Sequence, residues 1–417
     1  MQLRRVVVTG LGAITPLGIT VDELWASLLK GVSGADYIKR FDASRFKTQF
    51  ACEVKNFDAS NYIDRKEVRK HDPYAHYALV SSDHALTNSG LDLEKVNKER
   101  VGVIWASGIG GLETFETEVS LFAKGDGTPR FSPFFIPKMI ADIAAGHISI
   151  RYGFMGPNFA TVSACASSAN AMVDSFNYIR LSFADVFITG GSEAAISPGG
   201  LGGFNSMHAL STRNDDPKTA SRPFDKDRDG FVLGEGGCAL IFEELEHAKA
   251  RGARIYAEVA GGGMSGDAYH ITSPHPEGKG AMISMANALK DASLKPEDID
   301  HINTHGTSTP QGDISESKAI LAAFGEHSYN ISINSTKSMT GHLLGAAGAI
   351  EAIATILAVK NDIVPPTINH FTDDPEIDNK LDFTFHHPKK RIVNAALSNT
   401  FGFGGHNASI IFKKYRE

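Results

Sequence analysis

Cysteine is scarce in this chain: Cys52, Cys165 and Cys238 are the only three among 417 residues, an odd number with no Cys-x-x-Cys spacing. That pattern excludes a disulfide framework and a thiolate metal knot, and it fits a reducing cytoplasm. No block of Lys and Arg occurs and the formal net charge is −7, which excludes a general binder of nucleic-acid phosphates. The valine run 6–8 near the N-terminus is broken at once by Gly10, Gly12 and Pro16, so no signal-peptide core forms. The most apolar stretch, 343–359, contains Glu351 and is short for a bilayer. A dinucleotide fingerprint is missing too, because Gly10, Gly12 and Gly18 do not make Gly-x-Gly-x-x-Gly. Residues 225–230 imitate the opening of a calcium loop, but position twelve is Gly236 and Glu235 falls one residue early; calcium is rejected there.

What is present is an alternation of apolar strands and helical patterns over a length suited to two large units or a duplicated fold. In the first half the pattern predicts a strand over 4–9, a glycine-rich turn over 10–18, a helix over 21–30, a strand over 101–106, helices over 138–150 and 166–180, and a strand over 185–191. A second series follows: strand 254–260, a glycine-rich bend to Gly266, helix 279–292, strand 299–303, helix 313–323, strand 330–334, helix 345–360, and closing strands 392–398 and 406–413. Each half starts with a strand feeding a glycine-rich segment, which hints at duplication, and the boundary falls near Gly252, giving units 1–252 and 253–417. The fold class is α/β, a mainly parallel sheet covered on both faces, with functional loops at the carboxyl ends of strands.

The chain is organised around 161–171, where an apolar approach enters a small-residue turn and then a helix. Cys165 sits at the bend. A cysteine in the first turn of a helix faces free N–H groups and a positive dipole end, so a thiolate is expected there. A buried structural cysteine is the plainer alternative. Three loops of the second half also follow strands and carry polar groups: 303–310 with His305, 334–342 with Lys337 and His342, and 398–405 with Phe401 and Phe403. Each histidine alone reads as a hydrogen-bonded structural residue, but one cysteine and two histidines at strand ends can converge on one crevice. Arg65, Lys66, Arg69 and Lys70 fall on one helical face, by default a solvated one.

These motifs carry a resemblance. Arg5 to Gly10 (RVVVTG), Arg222 to Asp225 (RPFD), Asp229 to Val232 (DGFV), HGTSTP from His305, KSMTGHLLGAAG from Lys337, and GFGG from Gly402 resemble, nearly end to end, the β-ketoacyl-acyl carrier protein synthases of the condensing-enzyme or thiolase-fold family, the elongation type above all. The resemblance implies a thiolase-like duplicated layered αβαβα fold with mixed, mainly parallel sheets, and a decarboxylative Claisen condensation. It implies Cys165 as nucleophile, His305 and His342 as donors to the malonyl thioester carbonyl, and Lys337 as their electrostatic support. It further implies an oxyanion hole from the backbone N–H groups of Cys165 and Phe403, and Thr307 and Thr309 on the pantetheine arm. Phe401 and Phe403 would gate the acyl pocket and Ile109 would limit its length. No cofactor is implied beyond the arm that arrives on the acyl carrier protein; a structural monovalent cation near Asn303, Glu351, Ser398 and Asn399 is an option. The acidic carrier turns Arg65, Lys66, Arg69, Lys70 and Arg130 into docking candidates, and a homodimer lending a residue near Phe134 is expected. Three residues depart from the family pattern: Thr304, His208 and His406.

Rival readings fare worse. A thiolase needs a second cysteine near the C-terminus, a starter-unit synthase has Asn where His342 stands, and a silent chain-length partner lacks the nucleophile. A ketosynthase of an aryl-polyene or polyketide pathway and a non-enzymatic carrier-binding subunit stay as alternatives.

Overall fold

A computed structural model describes residues 3–416. Ten strands form the main sheet: β1 (Val6–Ile14), β2 (Val101–Ala106), β3 (Asn158–Thr161), β4 (Val186–Glu193), β5 (Gly236–Glu244), β6 (Ala257–Gly266), β7 (His301–Asn303), β8 (Ser332–Asn334), β9 (Ala395–Gly402) and β10 (His406–Lys413). Their spatial order is β8-β7-β9-β10-β6-β1-β5-β4-β2-β3. Counted outward from the middle, the first half runs first, fifth, fourth, second, third strand, and the second half repeats that order. The duplication hinted at by the sequence is therefore one of topology. The halves meet in a short antiparallel ladder that pairs Val6 with Val259 and Val8 with Ala257.

The sheet is mixed. Pairing is parallel at the two ends, β4-β2-β3 and β9-β7-β8, and antiparallel across the middle. Strands β9 and β10 follow each other through a tight turn, Gly402 pairing with His406, and a hairpin admits no other orientation.

Eight helices matter here: α1 (Val21–Leu29), α2 (Pro73–Ser89), α3 (Leu112–Lys124), α4 (Ile143–Tyr152), α5 (Ser167–Arg180), α6 (Lys279–Ala292), α7 (Pro310–Phe324) and α8 (Ala347–Asn361). Helices α2 and α4 cover the outer face of the first half, and α6 and α7 that of the second. Between the halves lie α5 and α8, touching strands of both, so the layers run α-β-α-β-α. Helix α8 is buried from Ala347 to Val359, which explains its composition. Residues 344–361 are apolar enough for a membrane span, yet 89% of that stretch is enclosed by protein.

Two expectations for glycine-rich turns are corrected. Strand β1 continues through Gly10 and Gly12 to Ile14, and β6 continues to Gly266. The reason is close approach of a helix. A Cβ on Gly12 would lie 2.0 Å from the Ser81 carbonyl oxygen of α2, and one on Gly263 would lie 2.1 Å from the Ser284 carbonyl oxygen of α6. Glycine is thus required in strands pressed against helix backbone, and the same device appears in each half.

Candidate active site

The carboxyl ends of the parallel strands deliver the site. Strand β3 ends at Thr161, and the chain then makes an elbow in which Ala164 adopts φ 51°, a left-handed conformation that costs energy for a residue with a Cβ. Ser167 holds the elbow by accepting from Ser163 N (2.8 Å) and donating to the Ala164 carbonyl (2.6 Å). Helix α5 begins only at Ser167, so Cys165 stands ahead of the helix and not in its first turn, as the sequence predicts. The expected thiolate is corrected as well. Burial pushes the Cys165 thiol up to about 12, and the Lys337 charge and the Phe403 backbone N–H, which pull it down, do not offset that.

Both histidines reach the sulfur. His342 Nε2 lies 3.0 Å from Cys165 Sγ, the two imidazole centroids are 5.2 Å apart at 85°, and one donor atom from each of the three residues falls within 4.8 Å of the others. Burial, then the nearby Lys337 charge, holds both imidazoles well below the usual histidine range, so they are neutral. Lys337 is itself buried and paired with Glu351 of α8. The other Glu351 oxygen accepts from Thr400 Oγ1 (3.4 Å). Burial pushes the Glu351 carboxyl upward while Lys337 opposes it.

Three buried acids frame this triad, two of which, Glu316 and Glu193, sequence reasoning did not select, while the third, Glu351, entered it only as a candidate cation ligand. Glu316 accepts from His305 N (2.9 Å) and Gly306 N (2.7 Å). Glu193, at the end of β4, accepts from Ser107 Oγ (2.9 Å), Gly108 N (2.7 Å), Ile109 N (3.2 Å) and Gly345 N (3.0 Å). It thereby ties the Ile109 loop to the segment after His342. Glu351 is the third. Their signal was present: Glu316 shares a helical stripe with buried Ile320 and Phe324, and Glu351 interrupts an apolar helix. A charge on a core-facing stripe needs a partner.

Around the triad lies a cavity of about 680 Å³ lined by Ile109, Thr307, Thr309, Phe401 and Phe403 together with Cys165, His305 and His342. Thr307 and Thr309 bring their hydroxyls within 3.0 Å of each other, and the Phe401 ring packs 5.8 Å from that of His305. The departures also find places. The Thr304 hydroxyl donates to the Asn334 carbonyl (2.8 Å), pinning β7 to β8, His208 lines the cavity mouth, and His406 is exposed beside Gly404.

The basic residues do not join the cavity. Arg65, Lys66 and Arg69 are exposed and Lys70 half-buried, and the helix there spans only Arg65–Val68, so the single helical face expected for the four does not form. The chain turns after Val68 toward Asp72, whose carboxylate accepts from Tyr74 N at the start of α2. Lys70 pairs with Glu67 (2.7 Å), and Arg130, on a separate loop, faces Asp126 (3.6 Å).

Against known proteins, residues 3–248 match the description "Beta-ketoacyl synthase, N-terminal domain" and residues 256–371 match "Beta-ketoacyl synthase, C-terminal domain". The chain belongs to the β-ketoacyl synthase family. Among family members, 3-oxoacyl-[acyl-carrier-protein] synthase 2 of Synechocystis is 51% identical over 416 residues, covering 100% of this chain and 99% of that protein. The Coxiella burnetii protein of the same name is 47% identical over 414 residues, covering 99% of each. A β-ketoacyl synthase from Burkholderia phymatum has the same fold, with TM-score 0.92 and 35% identity over 99% of this chain and 100% of that one. So does the ketosynthase of a type II PKS, solved with its acyl-carrier protein and bound to the hexaketide, with TM-score 0.91 and 35% identity over 100% of each chain.

Proposed function

We propose that this chain is a β-ketoacyl-[acyl-carrier-protein] synthase of fatty acid elongation, carrying out decarboxylative condensation through Cys165, His305 and His342. The convergence of one thiol and two neutral imidazoles at the base of a cavity carries the reading. The full-length identity to synthases of the elongation type favours fatty acid elongation over a polyketide pathway, whose solved relatives are less similar.

The chemistry follows from the protonation states. A thiol with its pKa near 12 is a weak nucleophile until a base takes its proton. His342 Nε2, 3.0 Å from the sulfur, accepts that proton as the sulfur attacks an acyl thioester. The proton passes to the departing pantetheine thiol, leaving acyl-Cys165 and a free carrier. The backbone N–H groups of Cys165 and Phe403 hold the oxyanion. In the second half-reaction malonyl thioester loses carbon dioxide, and negative charge gathers on its carbonyl oxygen. Once Cys165 is acylated there is no thiol proton for His342 Nε2 to accept, and proton exchange with water moves that ring's single proton from Nδ1 to Nε2; the Nε2–H groups of His305 and His342 then donate to the malonyl oxygen, each ring staying neutral. The enolate carbon then attacks acyl-Cys165, a carbon–carbon bond forms, the carbon–sulfur bond breaks, and the departing Cys165 sulfur takes up a proton from water. Atoms and electrons balance without a redox or metal cofactor.

Lys337 serves as electrostatic support, Thr307 and Thr309 hold the pantetheine arm, Phe401 and Phe403 gate the acyl pocket, and Ile109 closes its end. An acidic carrier docks on Arg65, Lys66, Arg69, Lys70 and Arg130, contacts that steer more than they bind. A cytoplasmic homodimer completes the proposal. Phe115, Phe122, Phe131 and Phe134 are exposed and β3 is an edge strand of the sheet; each is a surface that a second copy would cover. For a monovalent cation, Asn303 alone of the four residues named has its side-chain oxygen and nitrogen buried without a partner among the described residues. Glu351 is paired with Lys337 and Asn399 Oδ1 accepts from Ser409, and no step is routed through a cation.

The test is Cys165→Ala. It abolishes acyl transfer and chain extension while malonyl decarboxylation persists; native-rate extension by this variant would overturn the proposal.

A further inference from the structure

The segment 225–230, whose sequence imitates the opening of a calcium loop, closes around a side chain of its own. Its acids are engaged by backbone: Asp225 accepts from Asp227 N (2.9 Å), Phe371 N (2.6 Å) and Thr372 N (2.8 Å), and Asp229 accepts from Thr212 N (3.0 Å). The loop instead folds around its own guanidinium. Arg228 is buried. Its Nη1 donates to the Asp225 carbonyl (2.7 Å) and the Asp374 carboxylate (2.6 Å), its Nε to the Thr309 carbonyl (3.0 Å), and its Nη2 to the Pro310 carbonyl (2.5 Å). Asp313 of α7 stands 3.6 Å away. A planar fork with five fixed donors matches such a ring of oxygens, as a lysine ammonium does not.

Two of those oxygens belong to the stretch that carries Thr309. The same stretch is held again one residue earlier, where Ser308, at φ 65°, accepts from Arg222 N on its hydroxyl (3.0 Å) and from Gly230 N on its carbonyl (3.0 Å). Thus the loop 222–230 grips 308–310 at four points, with the Thr307 and Thr309 hydroxyls 3.0 Å apart on the cavity side. We propose that Arg228 is a positioning residue for pantetheine recognition: it fixes the Thr307–Thr309 pair so that the two hydroxyls are set before the arm enters. This rests on the reading of the cavity as a condensing site.

The test compares two donors with the same acyl chain, one on pantetheine and one on ethanethiol, which lacks the arm. In Arg228→Lys, KM for acyl-pantetheine rises roughly tenfold, as expected for misplacement of binding groups, while kcat stays near the wild-type value. KM for the ethanethiol ester and the rate of Cys165 alkylation by iodoacetamide are unchanged. With Thr309→Val added, the effects on KM do not sum, since both act on one contact. Asp374→Asn, which keeps the guanidinium and removes its carboxylate partner, shifts the same ratio of KM values if Arg228→Lys does not fold. An equal rise for both donors, additive effects in the cycle, or loss of Cys165 alkylation along with binding overturns the inference. Absence of wild-type acyl transfer to Cys165 sinks the condensing reading; wild-type transfer with unshifted KM ratios in both variants sinks this inference alone.

Discussion

At the scale of single residues, burial holds the Cys165 thiol protonated and the imidazoles of His305 and His342 neutral. Iodoacetamide alkylation of Cys165 should accordingly climb about tenfold per pH unit from 7 to 9 without a plateau, since the thiolate fraction grows in that proportion below the pKa. A plateau near neutrality would contradict the buried, uncharged sulfur. His305→Ala and His342→Ala should each lower malonyl decarboxylation by about 10²–10³, the usual effect of removing one oxyanion donor, read as carbon dioxide release. The residues of the triad were legible in the sequence because each sits in a distinctive loop after a strand. The ionisation of Cys165 was not, because it depends on the apolar surroundings that distant segments bring to it. Helix dipole reasoning also misplaced the sulfur, since the elbow at Ala164 puts it before the helix starts. Arg228 and Glu316 escaped notice because their partners lie 81 and 11 residues away.

Among the elements, the two glycine-bearing strands show what local pattern reading misses. Apolar alternation located β2 and α6 at 101–106 and 279–292, but Gly12 and Gly263 were read as turn residues although they lie within strands. Sequence alone does not reveal that a helix lies against a strand at that point. Gly12→Val should force β1 away from α2 and destabilise the protein by about 3 kcal/mol or more, at or above the upper range for overpacked cores, measured by urea denaturation. Gly263→Val should act alike through α6. Unchanged midpoints would show that the contact yields freely. Lys337 and Glu351 are a second case: an acid inside an apolar helix identified itself, but only the folded layers name its partner.

For the molecule as a whole, all three cysteines are buried, and burial pushes each thiol above its ordinary value of 9.0. Tyr74 and Tyr77 shift the same way. The unfolded chain ionises these groups as pH rises past 9 while the folded chain does not, so this contribution is intact below pH 9 and lost toward pH 12. Melting temperature should therefore fall between pH 8.5 and 10.5, and a flat profile would contradict it. Phe134→Glu on the exposed aromatic face should shift sedimentation from dimer toward monomer. The alternation of strands and helices foretold a sheet covered on both faces, the two strand-to-glycine starts hinted at the duplication, and the layered αβαβα arrangement came from the family resemblance; the antiparallel middle of the sheet was not legible from local pattern, because pairing direction depends on which strands become neighbours.

The central claim is that one sulfur and two imidazoles, far apart in the chain, act on one pair of substrates. Mass analysis of the protein and its products after acyl carrier protein, then malonyl carrier protein, tests it most directly. The account predicts an acyl adduct on Cys165 in the first step, and in the second its loss, with release of one carbon dioxide and a 3-ketoacyl product two carbons longer. An adduct on another residue, or an acyl-Cys165 that survives the malonyl step unchanged, would contradict it.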